Sequence, residues 1–412
     1  MQRAAYWYTI AASTLALLEG VATLLFRIVP ALDQRFPALL GSTQKIPTHS
    51  LLHVAIGVTG FMFLLRGGRR GSLLFATGLG SFYLALAFAG ALGGYRLGIG
   101  LQPFDHTFHL IYGTLGLLAA GLTYSSSDGE GSNRPAEGTG SPISAALRGW
   151  LIVESFFFLG AIATITFSPD QTRTNWAWPI QPAVMAALFG GFYIAVGVLL
   201  IGVMFARRWE MVRFAILPTT LFTTLMLLAT FMHWDRFSVG TAPFNVWFVS
   251  YLLPPPIFLA IYLWQQRGTR PFGSGQPLSP PLRRLLIAVG ALLALVAALT
   301  FVSPAWLIRV FPWTLTPLTA RALSGWLVAI GTLLLSMARE NDTARVRLGA
   351  PMLVALLPAV LIQLGRFSNE VNWNSVTLWA GLLLLATVSV CGLALLRSNR
   401  AEALSAAGAP AR

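Results

Sequence analysis

Apolar runs of about twenty residues alternate along this chain with short polar connections rich in arginine. Residues 72–93, 182–206 and 285–303 each run without a single charge. About twenty apolar residues are what a helix needs to cross the hydrocarbon core of a bilayer. Open strands are excluded there because lipid cannot satisfy their backbone groups, and the alternating pattern of a membrane barrel is absent. The pattern predicts an all-α, polytopic membrane protein. Its twelve transmembrane helices fall near residues 6–28, 49–66, 72–93, 105–124, 147–168, 182–206, 212–233, 244–266, 283–303, 319–338, 347–366 and 374–397.

Two longer polar stretches divide the series. Residues 126–146 are rich in Ser and Gly and read as a flexible linker; residues 267–282 are rich in Pro and Gly and read as a stiffer one. The cuts leave four-helix units at 1–125, 147–266 and 283–397, followed by a tail at 398–412. Landmarks recur in register between the units. Pro47, Pro182 and Pro317 each precede a second helix at intervals of 135, and Glu19, Glu154 and Val289 share that interval inside the first helices. Arg96, Arg236 and Arg366 end the third helices, and Pro103-Phe104-Asp105 matches Pro243-Phe244-Asn245. An even number of spans preserves orientation, so such copies are parallel repeats about an axis along the membrane normal.

The second and fourth helices of the first unit carry a distinctive pair of segments. These are His49-Ser-Leu-Leu-His53-Val-Ala-Ile-Gly57-Val-Thr-Gly60 and Asp105-His106-Thr-Phe-His109-Leu. On these residues, positions 1–125 resemble a bacterial family of four-helix integral membrane proteins catalogued as a domain of unknown function. The resemblance covers under a third of the chain. It implies the four-helix membrane fold and no activity; the later two units lack the histidines and look like diverged copies.

Composition agrees with a membrane setting: 56% of the residues are hydrophobic and only 10% charged, against about a quarter charged in soluble domains. The net charge of +14 would suggest nucleic acid in a soluble protein, but no basic stripe or motif supports that partner. The arginines sit instead in the connections. With the N-terminus in the cytoplasm, nineteen of the 28 basic residues fall on the cytoplasmic side and nine opposite, which favours both termini inside. The expected setting is a bacterial plasma membrane. The expected partners are the lipid bilayer and, in an accessory role, another membrane protein, with oligomeric state open. The only cysteine, Cys391, lies in an apolar run, so disulfides and cysteine metal sites are excluded.

The polar residues inside or beside the spans are the candidates for chemistry. His49 and His53 are spaced i, i+4, and His106 and His109 i, i+3, so each pair shares one helix face. Both pairs lie at the same end of the unit. Facing histidine pairs on a four-helix bundle can hold a haem or a divalent metal; they can also cap helix ends and bond to loops. Glu19 and Glu154 lie inside predicted spans, where a carboxylate is paired, protonated or functional, and they are candidates for a proton or cation site. Arg96, Asp105, Arg236, Asn245 and Arg366 form a candidate outer-face polar cluster; a cation at a helix C-terminus also simply favours the helix dipole. Pro254-Pro255-Pro256 must kink or break the eighth helix. No P-loop, serine elbow, zinc-protease or kinase pattern appears, so nothing marks the chain as an enzyme.

Three function classes follow: a structural or accessory membrane protein, a transporter of a small solute or lipid using Glu19 and Glu154, and a haem or metal redox protein using the first unit's histidines. The orientation has a direct check. A fluorescent-protein fusion after Arg412 should be bright and an alkaline phosphatase fusion there inactive; the reverse pattern would overturn the topology.

Overall fold

A computed structural model describes residues 4–29, 47–93, 103–125, 140–272 and 275–407. No strand occurs among the described residues, and ten of their helices are long and apolar enough to cross a bilayer. The chain is therefore an all-α, polytopic membrane protein. It forms two compact units, Met1–Asn133 and Arg134–Arg412.

The first unit consists of α1 (Ala4–Ile28), α2 (Pro47–Gly93) and α3 (Pro103–Ser125). Helix α2 is two arms joined at Gly68, whose φ of 49° and ψ of −125° suit a residue without a Cβ. The arms fold back on each other, with the Phe63 and Phe75 rings 6.2 Å apart. The result is four antiparallel helical segments, the up-down arrangement of a four-helix bundle. Small residues set their spacing. A Cβ on Gly57 would lie 2.7 Å from the Ser13 carbonyl oxygen, and one on Gly20 would lie 2.6 Å from that of Ser50, so α1 packs backbone to backbone on the first arm. Gly80 and Gly113 bring the second arm and α3 together in the same way. Ala12, Phe75, Leu79 and Tyr83 form the core between them. Helix α3 is not among the ten apolar helices; Asp105, His106 and His109 make its first half polar.

The second unit holds α4 (Ala145–Ala161), which continues into a π-turn at Ile162–Thr166. It is followed by α5 (Ala183–Phe205), α6 (Arg213–Met232), α7 (Ala242–Leu252), α8 (Pro254–Arg267), α9 (Pro280–Val302), α10 (Pro317–Glu340), α11 (Gly349–Arg366) and α12 (Val376–Ala407). Helix α5 packs on α11, and α10 packs on both α6 and α9. The second and third sequence units thus share one core. Gly290 and Gly331 let α9 and α10 approach so closely that a Cβ on Gly331 would lie 2.7 Å from the Gly290 carbonyl oxygen. The triple proline breaks the predicted eighth helix into α7 and α8, on either side of Leu253, as expected for a segment lacking successive donors.

Where they are described, the stretches read as a flexible linker and a stiffer one are held by hydrogen bonds. The Glu210 carboxylate accepts the Ser141 N–H, with both oxygens 3.0 Å away. The Gly140 N–H donates to the Pro271 carbonyl at 3.0 Å, and the Thr343 N–H to that of Gln276 at 3.0 Å. Ser/Gly composition signals chain freedom but is blind to a distant buried carboxylate that supplies the missing acceptors.

At the same end of the unit, Arg213 on α6 holds Glu340 on α10 with two bonds of 2.7 Å, and Arg345 adds a contact at 3.6 Å. Paired bonds from one guanidinium to one carboxylate are the strong form of this contact, and these side chains are mostly buried. Glu340→Ala should cost about 3 kcal/mol, seen as an apparent unfolding temperature several degrees lower in detergent micelles. An unchanged temperature would remove this pair from the account.

Candidate functional site

The sequence-predicted histidines converge at one end of the first unit. One ligand nitrogen from each of His49, His53 and His109 lies within 4.8 Å of the other two, and all three side chains are buried. His49 and His53 sit one turn apart on α2 with ring centroids 4.7 Å apart, while His49 and His109 are 6.4 Å apart across the gap to α3. His106 is also buried, but it lies outside this trio.

The other two helical segments complete the site. Glu19, from α1, lies 2.9 Å from His53 Nδ1 through Oε2. Tyr83, from the second arm of α2, stacks on His109 at 4.8 Å between ring centroids and an 18° interplanar angle. The placement of Glu19 follows from the tight α1–α2 seam: Gly20 abuts Ser50, and Thr23 Oγ1 donates to Ser50 Oγ at 2.8 Å. The sequence named Glu19 and the histidines as separate candidates; the fold makes them one site. It gave no signal for Tyr83, an aromatic among many.

Glu154 lies elsewhere, in the second unit, where it lines a cavity of about 410 Å³. Its walls include Phe158, Tyr193, Phe222, Trp247, Tyr251 and Trp326. Tyr193 and Tyr251 share a hydrogen bond of 2.8 Å between their hydroxyls. The Glu154 Oε1 atom is buried and has no hydrogen-bond partner among the described residues. Three helix irregularities border the space: the π-turn after Ala161, Pro218 within α6, and the end of α7 just beyond Tyr251.

Of the remaining polar candidates, Arg236 and Arg366 have local partners. Arg236 pairs with its neighbour Asp235 at 3.0 Å, both highly exposed. Asn245 is exposed in the first turn of α7. Arg366 donates to the Thr166 carbonyl at the end of the π-turn and to Gln363 Oε1 at 2.8 Å, pinning α4 to α11. Asp105 is buried in α3, and Arg96 lies outside the described residues. Comparison with protein-family models, with curated proteins and with solved structures finds no match to this chain.

His233, just past α6, has Arg321 Nη1 2.6 Å from its Nε2. A guanidinium can only donate, so His233 is neutral with its proton on Nδ1. Burial first, and the neighbouring Arg321 second, lower its pKa from the ordinary value of about 6.5. The folded state therefore binds this proton less readily than the unfolded chain. The contribution to stability is present above pH 6.5 and is lost as the pH falls through the lower folded value. His233→Gln should flatten that part of the stability profile below pH 6.5 in thermal melts; an unchanged profile would overturn the assignment.

Proposed function

We propose that this protein is a metal-binding integral membrane protein whose first unit holds one first-row transition-metal ion on His49, His53 and His109. The observation that carries the reading is the convergence of three buried imidazole nitrogens within 4.8 Å of one another. Nitrogens bound to one ion at about 2.0–2.1 Å sit a little over 3 Å apart, so side-chain rotation alone closes the set. Imidazole donors suit zinc, copper, iron and nickel.

The surroundings support the same reading. A metal-bound histidine almost always donates its other ring N–H to a carboxylate or carbonyl, which fixes the tautomer. Glu19 stands at His53 Nδ1 in that manner, leaving Nε2 as the ligand atom. Tyr83 against His109 restricts the second ring. A haem fits less well: its axial ligands approach from opposite faces of a wide macrocycle, whereas His49 and His53 come from one turn of one helix, 4.7 Å apart. The three histidines lie in the two segments that carry the resemblance to the bacterial four-helix family. With both termini in the cytoplasm of a bacterial cell, the site lies near the outer surface.

Three imidazoles are also the donor set of sites that keep a further position for water or a substrate. Equilibrium competition between a chromophoric chelator and the purified full-length protein should give one zinc or cobalt ion per chain. His109→Ala should abolish this binding, and Glu19→Gln should weaken it about 10–100-fold. Stoichiometric binding that survives His109→Ala, or no binding in the unmodified protein, would overturn the proposal.

A further inference from the structure

The cavity in the second unit has a chemistry that the metal site does not use. Among the described residues, its only charged lining group is Glu154. Besides Glu154 Oε1, two more lining atoms, Asn175 Oδ1 and Trp176 Nε1, are buried without a hydrogen-bond partner among the described residues. A buried polar atom left unbonded is costly, so these three mark places in the lining where polar partners belong. The Asn175 amide oxygen accepts, and an ionised Glu154 carboxylate asks for an N–H donor on whatever enters.

The walls specify the rest of that partner. Tyr193 and Phe222 flank Trp326 at 4.8 Å and 4.4 Å between ring centroids, and Trp247 lies 4.1 Å from Tyr251. Aromatic faces carry negative quadrupole charge and attract cations, most strongly when desolvated. A carboxylate beside such faces, with no basic residue in the lining, repels anions and gives neutral polar solutes little. The volume of about 410 Å³ falls within the range of small-molecule sites, roughly 300–1,000 Å³.

We propose that this cavity is a binding site for a protonated organic amine with an apolar or aromatic body. The ammonium is held by Glu154, and the body is enclosed by Tyr193, Phe222, Tyr251 and Trp326. The Trp176 N–H remains for an acceptor on the ligand or for a water. The proposal is independent of the metal site and stands or falls without it. Irregular helices around the space fit a ligand site inside a membrane, where non-helical backbone is tolerated only beside protein or a cavity.

The test compares benzyldimethylamine, protonated at pH 7, with its uncharged isostere isobutylbenzene. Calorimetric titration of the full-length protein in lipid nanodiscs should show saturable binding of the amine at least ten-fold tighter than the hydrocarbon, beyond partition into protein-free discs. Glu154→Gln should remove that preference while size-exclusion behaviour and helical circular dichroism stay unchanged. Equal affinity for the two probes, preference for isobutylbenzene, or no saturable binding of either would overturn the proposal. The comparison on the unmodified protein decides even if the variant does not fold. An amine preference that persists in folded Glu154→Gln would also overturn it, because the carboxylate is its anchor.

Discussion

Inside a bilayer an α-helix satisfies its own backbone, but a polar side chain on it finds partners only within the protein. Every informative feature of this molecule follows from that constraint. The first unit brings polar groups from all four of its helical segments to one end: Glu19, His49 with His53, Tyr83, and His109. A carboxylate and three imidazoles would be costly to scatter through the layer; gathered, they solvate one another and become a donor set. The second unit gathers Glu154, Asn175 and Trp176 around a space instead.

Close helix contact makes both arrangements rigid. The glycines at the α1–α2 and α2–α3 seams remove side-chain thickness where backbones meet. They fix the register that sets Glu19 beside His53. A one-residue slip along α1 would rotate Glu19 by about 100° away from the histidines. In the second unit, Gly290 and Gly331 do the same for α9 and α10, while the paired bonds between Arg213 and Glu340 lock the end of the bundle.

Much of this architecture was legible in the sequence because hydrophobic runs are a direct consequence of the solvent the helices meet. The all-α, multi-span character, the break at the triple proline and the convergence of histidines at one end follow from counting residues along helices. Three things were not legible. The pinning of residues 140–144 by Glu210 joins segments about seventy positions apart, and local composition does not report it. The absence of His106 from the trio depends on the rotation of α3 about its own axis, which spacing alone leaves open. The aromatic cavity draws Tyr193, Trp247 and Trp326 from three helices, and nothing in their local sequence separates them from aromatic residues that face lipid. The packing of α5 on α11 and of α10 on both α6 and α9 is likewise a tertiary property that local sequence does not report.

The central claim is that the histidine cluster is a metal centre rather than a polar helix cap. X-ray absorption at the metal edge of the cobalt- or zinc-loaded protein tests it most directly. The account predicts one ion per chain with three imidazole nitrogens at about 2.0–2.1 Å, visible through the multiple scattering of their rings. A first shell of oxygen alone, or metal bound without imidazole scattering, would contradict it.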